Sequence, residues 1–321
     1  MGTGIFLGFL VLDQELERVT EEKKPGGEIV DSGALSVPGA GGEVLRCLEY
    51  RGGDPGESIE GKVNVVMCVW KRPRRASAVF GDLAKQDYPL IDLSVWNNEP
   101  GHRDYYDRIL DAARSAGRFE SVRVFHSPEN LKAGARYPVA ALGDGEFTVI
   151  VDDDEKIASN YVSTMVKHIR ERGGACSGYA RWLHSGKSYW ECPGGGFENT
   201  WEKEVDYIGP GAAIFRREWL CDPLLHARPK EFDTSEDLWL CYCLHQQGIK
   251  RYKVNVVGVL DYADDVDLPA EILGIKLPEE MDPELIDLGR SRTVRREKDA
   301  AMQILVGKSP TLFTDKRTEN A

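Results

Sequence analysis

Phe147-Thr148-Val149-Ile150-Val151-Asp152-Asp153-Asp154-Glu155 is the stretch around which the rest of the chain arranges itself. Its first part, Phe147 to Val151, is apolar without alternation, as expected of a strand covered on both faces. Four acids follow without a spacer. In an open α/β sheet, ligands bind beyond the carboxyl ends of the strands, so these acids stand where a site is expected. If the chain stays extended, Asp152 and Asp154 share one side and Asp153 faces the other. Carboxylates grouped this closely repel one another unless a cation joins them. Oxygen ligands of this kind suit Mg²⁺ or Mn²⁺ that also carries phosphate oxygens and water. An acidic cap for a helix beginning near Ser159 is the plainer explanation, but a cap uses one Asp and leaves the others unexplained.

On the N-terminal side, Val63 to Trp70 is a second continuous apolar run, and Pro73 suits the first position of a helix reaching about Gln86. Ile91 to Trp96 and Val122 to Phe125 read as strands, and Tyr105 to Ala116 and Ala133 to Leu142 as helices. This alternation predicts a doubly wound α/β sheet with flanking helices. On the C-terminal side, a helix from about Ser159 to Arg172 leads to an apolar segment at Ala175 to Ala180. A Gly- and aromatic-rich stretch, Arg181 to Thr200, has no clear period. Tyr207 to Phe215, a helix from Ser235 to Gln247 and a Val-rich strand from Tyr252 to Val259 follow. A basic, helix-like segment lies near Arg290 to Val306.

The 321 residues carry 41 basic and 53 acidic side chains, a formal net charge of −12. Such acidity argues against a protein that grips nucleic acid, which needs a basic footprint. It also disfavours a surface lying on anionic lipid. The charge is uneven: residues 61–260 hold 27 basic and 27 acidic side chains, so the excess belongs to the flanks. Three parts are expected: an irregular, acidic, Gly-rich N-terminal extension (1–60), a central domain (61–260), and a C-terminal extension (261–321) that is acidic and then basic and helical. The seven cysteines are scattered without zinc-type spacing, which fits free thiols in a reducing compartment. Gly4 to Leu12, the one apolar run near the N-terminus, is about nine residues against the roughly 20 needed to span a bilayer. A cytoplasmic protein without membrane insertion is the expectation.

Other candidates gather at the same sheet edge. Glu236-Asp237 opens the helix from Ser235; Thr234 and Asp237 fit a capping box, while a second carboxylate pair could orient or deprotonate a hydroxyl. Lys71, Arg72, Arg74 and Arg75 after the first strand could meet a pyrophosphate or form a solvated basic face, and Trp70 could stack on a base. Asn97 and Asn98 can bond a base edge or form an Asx turn, and Arg136 could reach phosphate. Gly209-Pro210-Gly211 is a stiff loop. Trp182, Tyr189, Trp190, Phe197 and Trp201 suit sugar stacking, although aromatics more often pack. No GxSxG, P-loop or GxGxxG fingerprint is present.

Together these residues resemble a GT-A glycosyltransferase, most closely the exostosin-like family, glycosyltransferase family 64. The landmarks are Val95-Trp96-Asn97-Asn98 ending the second strand, Val151-Asp152-Asp153-Asp154 ending the fourth, and Glu236-Asp237 at a helix start, with Ile208 to Phe215 similar to the segment before the acceptor loop. The likeness covers roughly residues 62–260. It implies a GT-A sheet with a nucleotide-sugar-binding half (61–155) and an acceptor-binding half (156–260). It also implies transfer of a sugar from a UDP-sugar to a hydroxyl of a glycan or other acceptor; the family retains configuration, whereas an inverting enzyme would use Asp237 as general base, and the stereochemistry stays open. By the resemblance, Asp154 and Asp152 hold Mn²⁺ or Mg²⁺, Trp70, Arg72, Asn97 and Asn98 line the nucleotide pocket with Asp152 and Asp153, and Arg136 lies near the diphosphate. Asp237, with Glu236, stands at the reacting centre. No His follows His245, so a third metal ligand would be water or an acid such as Asp261. The alternatives are a sugar nucleotidyltransferase, for which the Trp70 to Arg75 loop lacks glycine, and a non-enzymatic carbohydrate- or cation-binding module, which would ignore UDP.

Overall fold

The computed structural model describes residues 59–262, 270–277 and 292–317, and the backbone of 8–11, 27–36 and 44–52. Within the N-terminal extension, β1 (Gly8–Val11), β2 (Gly27–Ser36) and β3 (Val44–Gly52) form an antiparallel sheet in the order β1-β3-β2, more regular than its glycine content suggested. Gly4 to Leu7, Leu12 and the remainder of that extension outside these strands and Ile59-Glu60 lie outside the described residues.

The first half of the central domain alternates strand and helix as expected. It comprises β4 (Ile59–Val69), α1 (Pro73–Leu83), β5 (Ile91–Asn97), α2 (Arg103–Ser115), β6 (Ser121–His126), α3 (Arg136–Ala141) and β7 (Gly145–Val151). β4 pairs in parallel with β5 and β7, and β5 with β6. Val63, Val65, Val66, Phe147, Val149 and Ile150 have no exposed surface, which explains their unbroken apolar run. Burying each such side chain stabilises the fold by about 1.5–3 kcal/mol.

The second half turns the sheet mixed. β8 (Glu155–Ile157), α4 (Tyr161–Arg172), β9 (Ala175–Ser177), β10 (Ala180–Arg181), β11 (Gly194–Gly195), β12 (Lys203–Val205), β13 (Tyr207–Ile208), β14 (Ala212–Arg216), α5 (Glu236–Gln246), β15 (Arg251–Lys253) and β16 (Leu260–Tyr262) follow in the chain. The central sheet has eight strands in the order β12-β15-β9-β14-β7-β4-β5-β6. β14 runs antiparallel to β7, with Ala212 opposite Val151. The Val-rich strand expected from Tyr252 to Val259 is shorter: β15 ends at Lys253. Val254 and Val256 are buried without a ladder, and Gly258 at φ +75 turns the chain toward β16. β16 then pairs with β8, and β10 with β11 and β13, beside the main sheet.

The basic C-terminal segment is the helix α6 (Arg292–Lys308). Lys298, Ala301, Met302 and Leu305 are its buried residues, spaced so that they share one face turned to the domain. Among the described residues, no helix is long and apolar enough to cross a membrane.

Candidate active site

β7 stops at Val151, and the next residues turn instead of continuing extended. The acids therefore do not alternate as an extended chain would place them. Asp153 and Asp154 both converge on Arg72: its Nη1 lies 3.4 Å from Asp153 Oδ1 and 2.5 Å from Asp154 Oδ2. Asp153 Oδ2 also accepts from the backbone N–H of Trp70 at 3.0 Å. Asp152 goes the other way, to Arg136 Nη1 at 2.8 Å. Lys71, the residue between Trp70 and Arg72, takes a left-handed conformation at φ 55, a strained turn that delivers both neighbours to the acids.

Gly211 explains how Asp152 fits. The β7–β14 register brings it opposite Asp152, and a Cβ there would lie 2.0 Å from the carboxylate. Only glycine permits that approach.

Burial, with the charges of Asp154 and Asp152 added, pushes Asp153 up to about 7 despite Arg72 and the Trp70 amide. Asp154 and Glu155 are also raised, first by burial and then by neighbouring acids. The turn carries more negative charge than Arg72 and Arg136 offset. Its hard oxygen donors fit a divalent cation, and Asp152 and Asp154 are the residues that could hold one. No group of three His, Cys, Asp or Glu forms a ready-made metal site among the described residues. The partial set suits an ion such as Mg²⁺, which keeps waters and takes phosphate oxygens alongside one or two carboxylates.

The second acid pair joins the first through one guanidinium. Arg136, buried at the start of α3, anchors its Nε on the Ala133 carbonyl at 2.8 Å and sets Nη1 on Asp152; its Nη2 lies 3.6 Å from Glu236 Oε1. Burial works against its charge, but Asp152 and Glu236 more than compensate and hold it well above its ordinary value. Glu236 is raised, first by burial and then by Asp237.

Asp237 makes no capping box. The N-cap of α5 is Ser235, without a side-chain cap, and Thr234 Oγ1 instead donates to Glu297. Asp237 Oδ2 accepts from Tyr207 Oη at 2.6 Å and from Lys298 Nζ, while Oδ1 accepts from the Leu238 amide at 2.7 Å. Burial disfavours the Lys298 ammonium, yet Asp237 raises it well above its usual range. The capping box expected of Thr234 and Asp237 does not form, but Asp237 Oδ1 still takes a first-turn amide and both acids stand where the helix dipole favours them.

Asn97 and Asn98 are buried and occupied within the protein. Asn97 accepts from the Glu99 amide at 2.8 Å, and its Nδ2 lies 3.0 Å from both the Glu99 carbonyl and His126 Nδ1. Asn98 Oδ1 accepts from Trp96 Nε1 and the Leu131 amide, and its Nδ2 donates to the Lys132 carbonyl. Both fasten the loops after β5 and β6. Trp70 is half-buried with Lys71 Nζ 5.4 Å from its ring centroid. Arg75 is near enough for its charge to act on Asp154.

Lys298, Tyr207 and Tyr262 belong to this region and are missed by sequence reading. Tyr262, opposite Glu155 in the β16–β8 pairing, is largely exposed. Desolvation, followed by the charges of Glu155, Asp154 and Asp152, pushes its hydroxyl upward. By strand alternation Asp261, the candidate third ligand, then faces away from the acids. The alternating polarity around Asp261 was the available signal; for Lys298 there was only its place on an amphipathic helix.

Residues 64–221 match the family model of Glycosyl transferase family 2. The match runs from β4 past β14 and includes the acid turn, but ends before Glu236, Asp237 and Lys298. A search of the curated proteins gave no match. Among solved structures, S. aureus TarS 1-349 in complex with UDP-GlcNAc is similar at 17% identity and a TM-score of 0.48, over 68% of this chain and 62% of that one. S. aureus TarS is similar at 15% identity and a TM-score of 0.45, over 63% of this chain and 37% of that one. Mannosyltransferase PcManGT from Pyrobaculum calidifontis in complex with GDP-Man and Mn²⁺ is similar at 16% identity and a TM-score of 0.43, over 60% and 54%. The chain thus spans between 37% and 62% of the length of these structures. The family 2 match, with the mixed sheet flanked by helices, supports a glycosyltransferase of GT-A fold. It does not confirm the exostosin-like assignment.

Proposed function

We propose that the protein is a metal-dependent glycosyltransferase that moves a sugar from a nucleoside-diphosphate sugar, with UDP the nucleotide that the exostosin-like resemblance implies, to a hydroxyl of a glycan or other acceptor. The observation that carries this reading is the bridge at Arg136, whose guanidinium faces Asp152 at the strand end and Glu236 at the start of α5. A metal-and-diphosphate site and a hydroxyl-handling site would thereby share one centre.

Mn²⁺ or Mg²⁺ held by Asp154 and Asp152 would supply neutralisation of the charge that builds on the departing diphosphate. Arg72, now paired with Asp153 and Asp154, would exchange part of that pairing for phosphate oxygens, which match its planar fork. Trp70 offers a face for the base, while Asn97 and Asn98 hold the surrounding loops. In the transfer, the bond between the anomeric carbon and the β-phosphate oxygen breaks as the acceptor oxygen bonds to that carbon. The acceptor proton passes to a carboxylate, Asp237 or Glu236, or to the leaving phosphate. Burial raises the proton affinity of Glu236, which favours it as an acceptor of that proton. A protein base makes direct displacement, with inversion, the simpler course; retention was expected only from the exostosin-like resemblance. Proton NMR of the new anomeric linkage decides between them.

Calorimetric titration of UDP with and without Mn²⁺ tests the reading. Binding that requires the metal supports it, and UDP binding indifferent to Mn²⁺, or no binding at all, overturns it.

A further inference from the structure

Three successive residues of α6 grip three separate places. Glu297 Oε2 accepts from Thr234 Oγ1 at 2.7 Å, just before α5. Asp299 accepts from Ser188 Oγ at 2.9 and 3.1 Å and from the Tyr189 amide at 2.8 Å. Lys298, between them, is buried and bonded to Asp237 Oδ2, with its ammonium 4.2 Å from the Tyr189 ring centroid and 5.2 Å from that of Tyr207. Tyr207 Oη donates to the same carboxylate oxygen. The ammonium is thus held on one side by cation–π attraction to two rings and on the other by a carboxylate. Its flanking contacts pin both the entry to α5 and the loop carrying Tyr189.

Stability alone does not require a charge there. A buried ion pair is often no better than well-packed apolar groups of the same volume, and a methionine would fill this space. What the ammonium adds is a fixed direction for one carboxylate. We infer that Lys298 is a positioning residue of the transfer reaction, by which the C-terminal helix holds Asp237 in the orientation that meets the acceptor hydroxyl. This rests on the transferase reading above. It makes α6, which lies outside the segment matched by the family model, part of the active site and not an appendage.

The test measures Mn²⁺-dependent release of UDP from a panel of UDP-sugars, with water as the acceptor, for the wild type, Lys298→Met, Lys298→Arg and Tyr207→Phe. UDP affinity is read by calorimetry in each. Lys298→Met is expected to melt cooperatively, bind UDP within about 3-fold of wild type and lose roughly 100-fold in kcat, the scale of a small misplacement of a reacting group. Lys298→Arg is expected to recover about 10-fold of that loss, since the charge returns in a different shape. Should Lys298→Met fail to fold, Tyr207→Phe carries the test: a kcat reduced about 10-fold at unchanged UDP affinity supports positioning, and an unchanged kcat overturns it. A folded Lys298→Met with wild-type kcat, or with kcat and UDP affinity falling together, also overturns it. A wild type that neither binds UDP with Mn²⁺ nor releases it from any donor sinks the transferase reading instead, a result distinct from both.

Discussion

The two acid sets differ in how they are held. Asp152, Asp153 and Asp154 sit in a turn at the end of a buried strand, and their guanidinium partners come from the same half of the domain: Arg72 follows β4 and Arg136 opens α3. Glu236 and Asp237 open a helix, and the cation on Asp237 arrives from α6, 61 positions further on. The first set is assembled by the sheet edge. The second gains the cation on Asp237 only when the C-terminal helix docks. Substitutions in the first should therefore damage metal and diphosphate binding with little effect on folding, whereas those in the second should couple activity to the seating of α6.

The largest effect is expected at Asp154. Its charge is disfavoured by burial and by Asp152, so it does not serve stability. Asp154→Ala should keep or slightly raise the urea midpoint while turnover falls by roughly 1,000-fold and Mn²⁺-dependent UDP binding disappears. A variant that keeps metal-dependent binding would show that the two acid sets are not divided in this way.

Arg136 comes next, because it touches both sets. Arg136→Lys retains a charge but lacks the fork that faces Asp152 and Glu236 together. Turnover should fall about 10- to 100-fold, with a loss of about 1–2 kcal/mol of stability in urea titrations. Unaltered kinetics would mean the bridge is incidental. At Gly211 the expected loss is smaller: the Cβ of Gly211→Ala would displace the Asp152 carboxylate, and about a 10-fold drop in turnover should follow while Asp237-dependent steps stay intact.

Legibility in the sequence follows the same division. Val63 to Val69 and Phe147 to Val151 declared their strands because burial on both faces leaves an unbroken apolar signal. The acid turn was legible as a candidate site through its position at a strand end. Its internal geometry was not, since nothing in three identical residues says where the chain bends, and an extended reading sent Asp153 the wrong way. Asn97 and Asn98 looked like ligand-binding groups, yet an amide beside a buried carbonyl and a buried histidine is consumed locally. The role of Lys298 was illegible for a different reason. Pairing across such a separation depends on tertiary docking, and a lysine in a basic helix carries no mark that it points inward. Val254 and Val256 misled in the opposite sense, being apolar and buried but outside any ladder.

The smallest effect concerns a buried lysine that bonds to neither acid set. Lys253 in β15 has no exposed surface, and its Nζ donates to the carbonyls of Asn199 at 2.9 Å and Val254 at 2.7 Å, bonds that a neutral amine can also make. Burial lowers it to about 8, with Glu198 and Glu202 only partly opposing. Between about pH 8 and the ordinary lysine value near 10.4 the unfolded chain binds more protons than the folded one, so this residue makes stability rise with pH in that window. Below about pH 8 both states are protonated and the contribution is constant. The unfolding free energy of wild type relative to Lys253→Met, read by urea titration, should therefore increase from pH 7.5 to 9.5 by about 1–2 kcal/mol, while the pH dependence of UDP binding is the same in both proteins. A difference that stays flat across that range would show the ammonium to be charged in the fold, and one that also moved UDP binding would tie β15 to the site.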